Sequence, residues 1–461
     1  MHPQLATDLD RLPDLLEAVR KRAVGFLDGL PERPVVDLGA AVPPRAPLDE
    51  AGVGLERALE EFTADWEPAL SASAGPRYLG FVTGGATPAA LAGDWLTSTY
   101  DQNPNSSADP AGQHLERQTL AWLRELFGLG PEHGGAFVSG ATQSNTTGLA
   151  VAREWLGEQL GVSPAEQGAG ALGRVRVLSG SPHSSVGKAL SVLGLGREAL
   201  VAVDRLPGRE AVDPAALERA LAAADGPCIV VANAGTVNSV DFDDLRALAA
   251  LRQRYPFWLH VDGAFGAFAA LSPEHAHLVD GLDLADSICI DLHKWLNVPY
   301  DSAVQFTRRP DLQARVFQNA AAYLGPLGEV PDFVHLTPEN SRRLRALPAW
   351  FTLRAYGRDG VREIVERCVA GARTLGAALE AAPRLRLAAP VRLNVVCFTL
   401  AEEPTAQRLA ALAGAAAGEV FVTPTLYQGV PALRAAFSNW RTTEQDAHRI
   451  ARALIGAADA L

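Results

Sequence analysis

One run carries the most chemistry: Ala285-Asp286-Ser287-Ile288-Cys289-Ile290-Asp291-Leu292-His293-Lys294-Trp295-Leu296. A small, β-branched stretch ends there in an acid, a histidine and a lysine set against a tryptophan. Such a lysine is an amine partly removed from water; desolvation lowers its proton affinity and lets it form a Schiff base with a carbonyl. Taken alone, a solvated loop lysine is the commoner outcome. The case for chemistry therefore rests on what else the chain supplies.

Four further motifs stand where predicted strands end, the edge at which open α/β sheets hold ligands. Val138-Ser139-Gly140-Ala141-Thr142-Gln143-Ser144-Asn145 runs from a strand into a helix, and small residues at a helix start leave free N–H groups and positive potential for an anion. It has neither the G-x-x-x-x-G-K-[ST] phosphate loop nor the dinucleotide G-x-G-x-x-G, so it suits a single phosphate; an ordinary N-cap turn has the same composition. Ser181-Pro182-His183-Ser184-Ser185 places a histidine at a helix start, where it caps, packs, or stacks its ring on a planar ligand. Ala232-Asn233-Ala234-Gly235-Thr236-Val237 is a strand followed by a Gly-Thr turn and is weak alone. Leu259-His260-Val261-Asp262-Gly263-Ala264-Phe265 ends an apolar strand in an aspartate, and a carboxylate so placed requires a cationic partner.

A phosphate seat, a stacking histidine, an internal aspartate and a strand-end lysine together match the needs of pyridoxal 5'-phosphate. Its aldehyde takes the lysine, its ring nitrogen a carboxylate, and its phosphate a helix N-terminus.

The elements that must position these residues alternate from about residue 135: strands at 136–138, 175–178, 200–203, 228–232, 258–261 and 288–290 are separated by helical patterns at 142–160, 184–194 and 214–224. That alternation predicts βαβ units and a mainly parallel sheet. Upstream, residues 5–30 read as an amphipathic helix and 52–68 as a second, joined by a proline-rich linker. The arm packs on its own large domain or on a second subunit. Beyond Gly357 long helices flank short strands, a smaller α+β region. The divisions are a helical arm over 1–75, a cofactor-binding α/β domain over 76–345 and a small domain over 346–461.

The 461 residues carry a net charge of −12, which argues against nucleic acid or an anionic membrane as partner. No stretch has the apolar length of a membrane span and no signal peptide is recognisable. Four scattered cysteines make no metal spacing and read as buried thiols of a reducing compartment, so a cytoplasmic protein without a metal is expected.

With these motifs in place, the chain resembles the group II pyridoxal-phosphate-dependent amino-acid decarboxylases, which include the aromatic amino-acid and glutamate enzymes. The resemblance runs from Pro76-Arg77-Tyr78 and Gly93-Asp94-Trp95-Leu96-Thr97-Ser98 to Phe437-Ser438-Asn439-Trp440, and is most specific at 260–264 and 285–295. It implies the PLP-dependent transferase fold (fold type I) and a homodimer with interfacial active sites. It also implies decarboxylation of an L-amino acid to its amine and CO2. By that resemblance Lys294 carries the cofactor, Asp262 pairs with the ring nitrogen and His183 stacks on the ring. Ala141, Thr142 and His293 hold the phosphate, while Thr236 and Ala264 line the cofactor.

Two departures bear on the reaction. The family often has Asn-Pro-His-Lys where this chain has Asp291-Leu292-His293-Lys294, and an acid near a phosphate must be turned away or hydrogen-bonded. The variant also occurs in related carbon–carbon lyases. In the mobile loop, where aromatic decarboxylases use a tyrosine to return a proton, Phe333 occupies the corresponding place in a loose alignment. A phenylalanine cannot donate, which opens an aldehyde-forming oxidative outcome unless Tyr323 or His335 donates. Phe81, with Tyr78 and Trp95, leans the substrate toward an aromatic or apolar amino acid, though these rings also suit a core; diaminobutyrate and aspartate stay open. A non-catalytic, cofactor-binding role is the alternative of a different class, and the intact Lys294, Asp262 and His183 argue against it.

Overall fold

Apolar runs such as 228–232 and 257–261, the latter interrupted only by His260, organise the computed structural model, which describes residues 1–105, 110–319, 328 and 330–461. Strands β1 (Gly134–Val138), β2 (Val177–Ser179), β3 (Leu200–Ala202), β4 (Cys228–Asn233), β5 (Phe257–Asp262), β6 (Ser287–Ile290) and β7 (Ala303–Thr307) form one seven-stranded sheet in the order β1-β7-β6-β5-β4-β2-β3. From β6 through β3 neighbouring strands are parallel, whereas β7 runs antiparallel to both β6 and β1. Strands β4, β5 and β6 are buried along their whole length, as continuous apolar runs covered on both faces must be. The antiparallel β7 is absent from the sequence-based expectation; Ala303-Val304-Gln305-Phe306-Thr307 carries a polar Gln305 at its centre and follows β6 with no long helical pattern between them.

The helix Ala141–Leu160 crosses this sheet. Its Leu149, Val151, Ala152 and Leu156 cluster with Val186 and Leu190 of the helix Ser184–Val192 and with Val177, Ile229, Val231 and Trp258. Burying such side chains contributes roughly 1.5–3 kcal/mol each, which anchors the helix start.

The chain divides into two compact units. One comprises Gly84–Ala370 with Ala389–Val395 and contains the seven-stranded sheet. The other comprises Met1–Thr83, Gly371–Ala388 and Val396–Leu461. A four-stranded sheet has the order β10-β11-β9-β8, formed by β8 (Leu385–Leu387), β9 (Val395–Leu400), β10 (Thr423–Tyr427) and β11 (Val430–Ala436). These boundaries differ from the divisions expected at 75 and 345. The reason is visible in the second unit: the buried Arg77 guanidinium donates to the carbonyls of Pro31, Arg33 and Glu419, and Leu79 N–H donates to Phe421 O. The N-terminal segment is thereby stitched to the C-terminal one.

The long helix expected over 345–380 is Ala346–Glu380, broken at Gly357, whose φ of 61° and ψ of −170° only glycine adopts without strain. Among the described residues no helix is long and apolar enough to cross a membrane, and no cluster of His, Cys, Asp and Glu forms a metal site.

Candidate active site

Parallel pairing aligns Asn233 of β4, Asp262 of β5 and Cys289 of β6 at one edge of the sheet. Asp262, 6% exposed, is the acid of that edge. Its Oδ1 accepts the N–H of Ala264 at 3.2 Å and its Oδ2 accepts Asn145 Nδ2–H at 2.8 Å. The carbonyl of Ala264 in turn accepts the N–H of Asp291 at 2.8 Å, so one short loop ties the end of β5 to the end of β6.

Just beyond β6, the single turn Leu292–Trp295 presents Lys294. The chain has three lysines, Lys21, Lys188 and Lys294. The first two are exposed, whereas the Lys294 side chain retains 17% exposure. Its Nζ lies 3.6 Å from Asp291 Oδ2 and 5.5 Å above the Phe265 ring centroid. The backbone beneath is clamped. Asn297 Nδ2–H donates to Gly84 O at 2.8 Å and to Lys294 O at 3.3 Å, and Gly84 N–H donates to His293 O at 3.4 Å. A Cβ at Gly84 would sit 2.0 Å from Lys294 O, so glycine is required there for close backbone approach.

The start of the helix Ala141–Leu160 faces the same turn. Asp291, 2% exposed, accepts Ala141 N–H through Oδ2 at 3.2 Å. His293 Nδ1 stands 3.0 Å from Asp291 Oδ1 but without hydrogen-bond geometry, and its ring lies 4.2 Å from that of Tyr300. Thr142 is exposed. The acid that the sequence left unexplained is thus hydrogen-bonded at a helix N-terminus, between a lysine and a histidine.

His183 caps the helix Ser184–Val192 and is exposed; its Nδ1 accepts Ser185 N–H at 3.2 Å and lies 2.8 Å from Ser185 Oγ. Ser185 Oγ also accepts from Asn145 Nδ2, so Asp262 is one hydrogen bond and His183 two from the same amide. Thr236 is buried, and its hydroxyl donates to Glu210 Oε2 at 2.6 Å.

The match to known proteins covers this whole arrangement. Residues 51–401 match the family model described as the pyridoxal-dependent decarboxylase conserved domain. The chain belongs to the pyridoxal-dependent decarboxylases. The decarboxylase is 30% identical over 333 residues to an aromatic-L-amino-acid decarboxylase of Bacillus atrophaeus, covering 70% of this chain and 67% of that one. It is also 30% identical over 428 residues to an L-2,4-diaminobutyrate decarboxylase of Rhizobium meliloti, covering 88% and 83%. Among solved structures, Oryza sativa TDC with PLP and tryptamine superposes with a TM-score of 0.90 at 23% identity, over 98% of each chain. The fold is that of fold type I, the cofactor is pyridoxal phosphate, and the decarboxylase is an amino-acid carboxy-lyase.

Of the residues picked from the sequence, Ala141, Asp262, Ala264, His293 and Lys294 are joined by the contacts above, and His183 joins them through Ser185 and Asn145. Thr236 follows β4, its hydroxyl committed inward. Phe81 belongs to the unit with the four-stranded sheet, 58% exposed and 6.0 Å from the Phe421 ring. Phe333 is not a presented loop residue: it is fully buried, with the guanidinium carbons of Arg117 and Arg342 at 4.8 and 5.5 Å from its ring. His335 is buried too, and its Nδ1 accepts Asn319 N–H. Tyr323 lies outside the described residues. Asn145, Asn297 and Gly84 were given no role from the sequence. The one available signal was an asparagine in a helical run whose neighbours Leu149 and Val151 are apolar.

Proposed function

We propose that the decarboxylase acts on an L-amino acid with an aromatic or apolar side chain, releasing CO2 and the amine, with Lys294 as the residue that carries the cofactor. The observation that carries this reading is the withdrawn Lys294 amine, backed by a clamped main chain and one loop away from the Asp262 carboxylate. The donor set fits pyridoxal phosphate, except that the Asp291 carboxylate on Ala141 N–H opposes the phosphate. Lys294 would take the aldehyde carbon and Asp262 the ring nitrogen, His183 would cover one ring face, and the Ala141–Thr142 turn with His293 would take the phosphate; Ala264 and Thr236 would line the seat. When bound, the cofactor supplies an electron-withdrawing ring that accepts the electron pair left by the departing carboxylate. Asp262 would hold a proton at the ring nitrogen and so keep the ring electron-poor, and the Lys294 amine would be the group that anchors the cofactor at this turn.

The aromatic preference is supported by the likeness to the Bacillus enzyme. The second reading is diaminobutyrate, favoured by the longer match to the Rhizobium enzyme. Phe333, buried beside Arg117 and Arg342, cannot donate a proton, so the aldehyde-forming outcome stays an alternative product of the same site.

A homodimer is part of the same reading. Leu5, Leu9, Leu12, Leu16 and Val19 are all exposed and follow a 4-3-4-3 spacing along Pro3–Asp10 and Leu12–Gly29, an apolar stripe suited to a partner helix. A substrate panel of the twenty amino acids with diaminobutyrate, ornithine and dihydroxyphenylalanine tests the activity, following CO2, amine, aldehyde and peroxide together. CO2 with equal amine from an aromatic substrate is expected. CO2 from diaminobutyrate alone would transfer the assignment to the second reading, and no CO2 from any substrate would overturn both.

A further inference from the structure

Asp262 is the end of a buried hydrogen-bond chain whose direction is fixed by its two termini. Trp258 Nε1–H can only donate, and it does so to Ser287 Oγ at 2.9 Å. Ser287 Oγ lies 2.7 Å from His260 Nδ1, His260 Nε2 lies 2.9 Å from Asn145 Oδ1, and Asn145 Nδ2–H reaches Asp262 Oδ2 at 2.8 Å. A carboxylate only accepts, so the amide must turn its NH2 toward Asp262 and its oxygen toward His260. His260 then carries its proton on Nε2, and the hydroxyl of Ser287 donates to the bare Nδ1. The second hydrogen of the same NH2 is given to Ser185 Oγ at 3.0 Å, which leaves the Ser185 hydroxyl to donate to His183 Nδ1.

Trp258, Ser287, His260 and Asn145 are essentially inaccessible. Burial holds the His260 imidazole down at about 4, so the ring is neutral, as this chain of bonds requires. The space for it is provided by Gly148, one turn along from Asn145: a Cβ there would lie 2.7 Å from His260 Cε1 and 3.2 Å from Ser287 Oγ.

We infer that Asn145 is the positioning residue of the active site: locked in one orientation by His260, its amide aims both the Asp262 carboxylate and, through Ser185, the His183 ring. The two groups assigned to the cofactor's ring nitrogen and ring face are thereby set together before the cofactor arrives. This rests on the roles proposed for Asp262 and His183.

The test uses the apoprotein of the full chain. In the unsubstituted protein, 15N-labelled imidazole signals should show His260 protonated on Nε2 with Nδ1 bare; the opposite tautomer would overturn the inference without any variant. Titration of pyridoxal phosphate into Asn145→Ala apoprotein should give an affinity lowered roughly 10- to 100-fold, the scale of losing a hydrogen bond to a charged group. Asp262→Ala is measured beside it. If Asp262→Ala loses affinity and a folded Asn145→Ala does not, the positioning role fails alone. If neither loses affinity, the underlying assignment of Asp262 fails with it.

Discussion

The Asp291 carboxylate accepts the N–H of Ala141 at 3.2 Å, so the helix start that would seat the cofactor phosphate already faces an anion belonging to the chain. Like charges so placed repel, and the macrodipole that favours a phosphate is shared with the carboxylate. Asp291→Asn keeps the side-chain shape and an acceptor oxygen for Ala141 while removing the charge. Apoprotein of this variant should bind inorganic phosphate several-fold more tightly, read by competition against pyridoxal phosphate; unchanged or weaker binding would show that the carboxylate does not oppose the anion.

Gly84 is held against the Lys294 turn by its bonds to Asn297 and His293, and the approach leaves no room for a side chain. A Cβ 2.0 Å from Lys294 O meets backbone that cannot rotate away. Gly84→Ala should destabilise the fold by about 1–3 kcal/mol, the usual cost of overpacking, and lower turnover at least tenfold by shifting the Lys294 turn. Denaturant melts and steady-state kinetics on the same preparation check both; a variant with unaltered stability and turnover would contradict the clamp.

Acid stability offers a separate check, because two buried groups oppose each other. Burial lowers His260 from its ordinary 6.5 to about 4, so the unfolded chain binds the proton first and stability falls as pH drops through that window. Burial raises Asp243 from 3.8 to about 6 against hydrogen bonds from Val212 and Asn233, so the native state binds that proton first and stability rises over nearly the same window on acidification. The two slopes offset. In Asp243→Asn the His260 dependence stands uncompensated, and between pH 6 and 4 unfolding free energy should fall with decreasing pH more steeply than in the parent, by up to about 1.4 kcal/mol per pH unit. Chemical denaturation at several pH values measures this; parallel curves for the two proteins would contradict it.

The sequence made the sheet edge legible because chemistry there interrupts hydrophobic runs. Asp262 ends Phe257–Val261, and Lys294 follows Ser287–Ile290, and an acid or amine in such a place stands out against apolar neighbours. Asn145 did not stand out, because an asparagine within a helix has the same appearance whether it faces water or a buried imidazole. Only the pairing of β5 with β6, which brings His260 and Ser287 together, gives it meaning. Phe333 reads as a loop residue from a loose alignment with the family's tyrosine, and that alignment gives no sign that Arg117, far away in the chain, and Arg342 pack against its ring. The division into units was hidden likewise, since it depends on Arg77 bonding to carbonyls at both ends of the sequence.

The most direct measurement is borohydride reduction of the protein loaded with pyridoxal phosphate, followed by peptide mapping. With three lysines in the chain, the outcome is unambiguous. The reduced cofactor is expected on Lys294 and absent from Lys21 and Lys188, and Lys294→Ala should lose both the adduct and all CO2 release. Label on Lys21 or Lys188, or decarboxylation that persists in Lys294→Ala, would contradict the assignment.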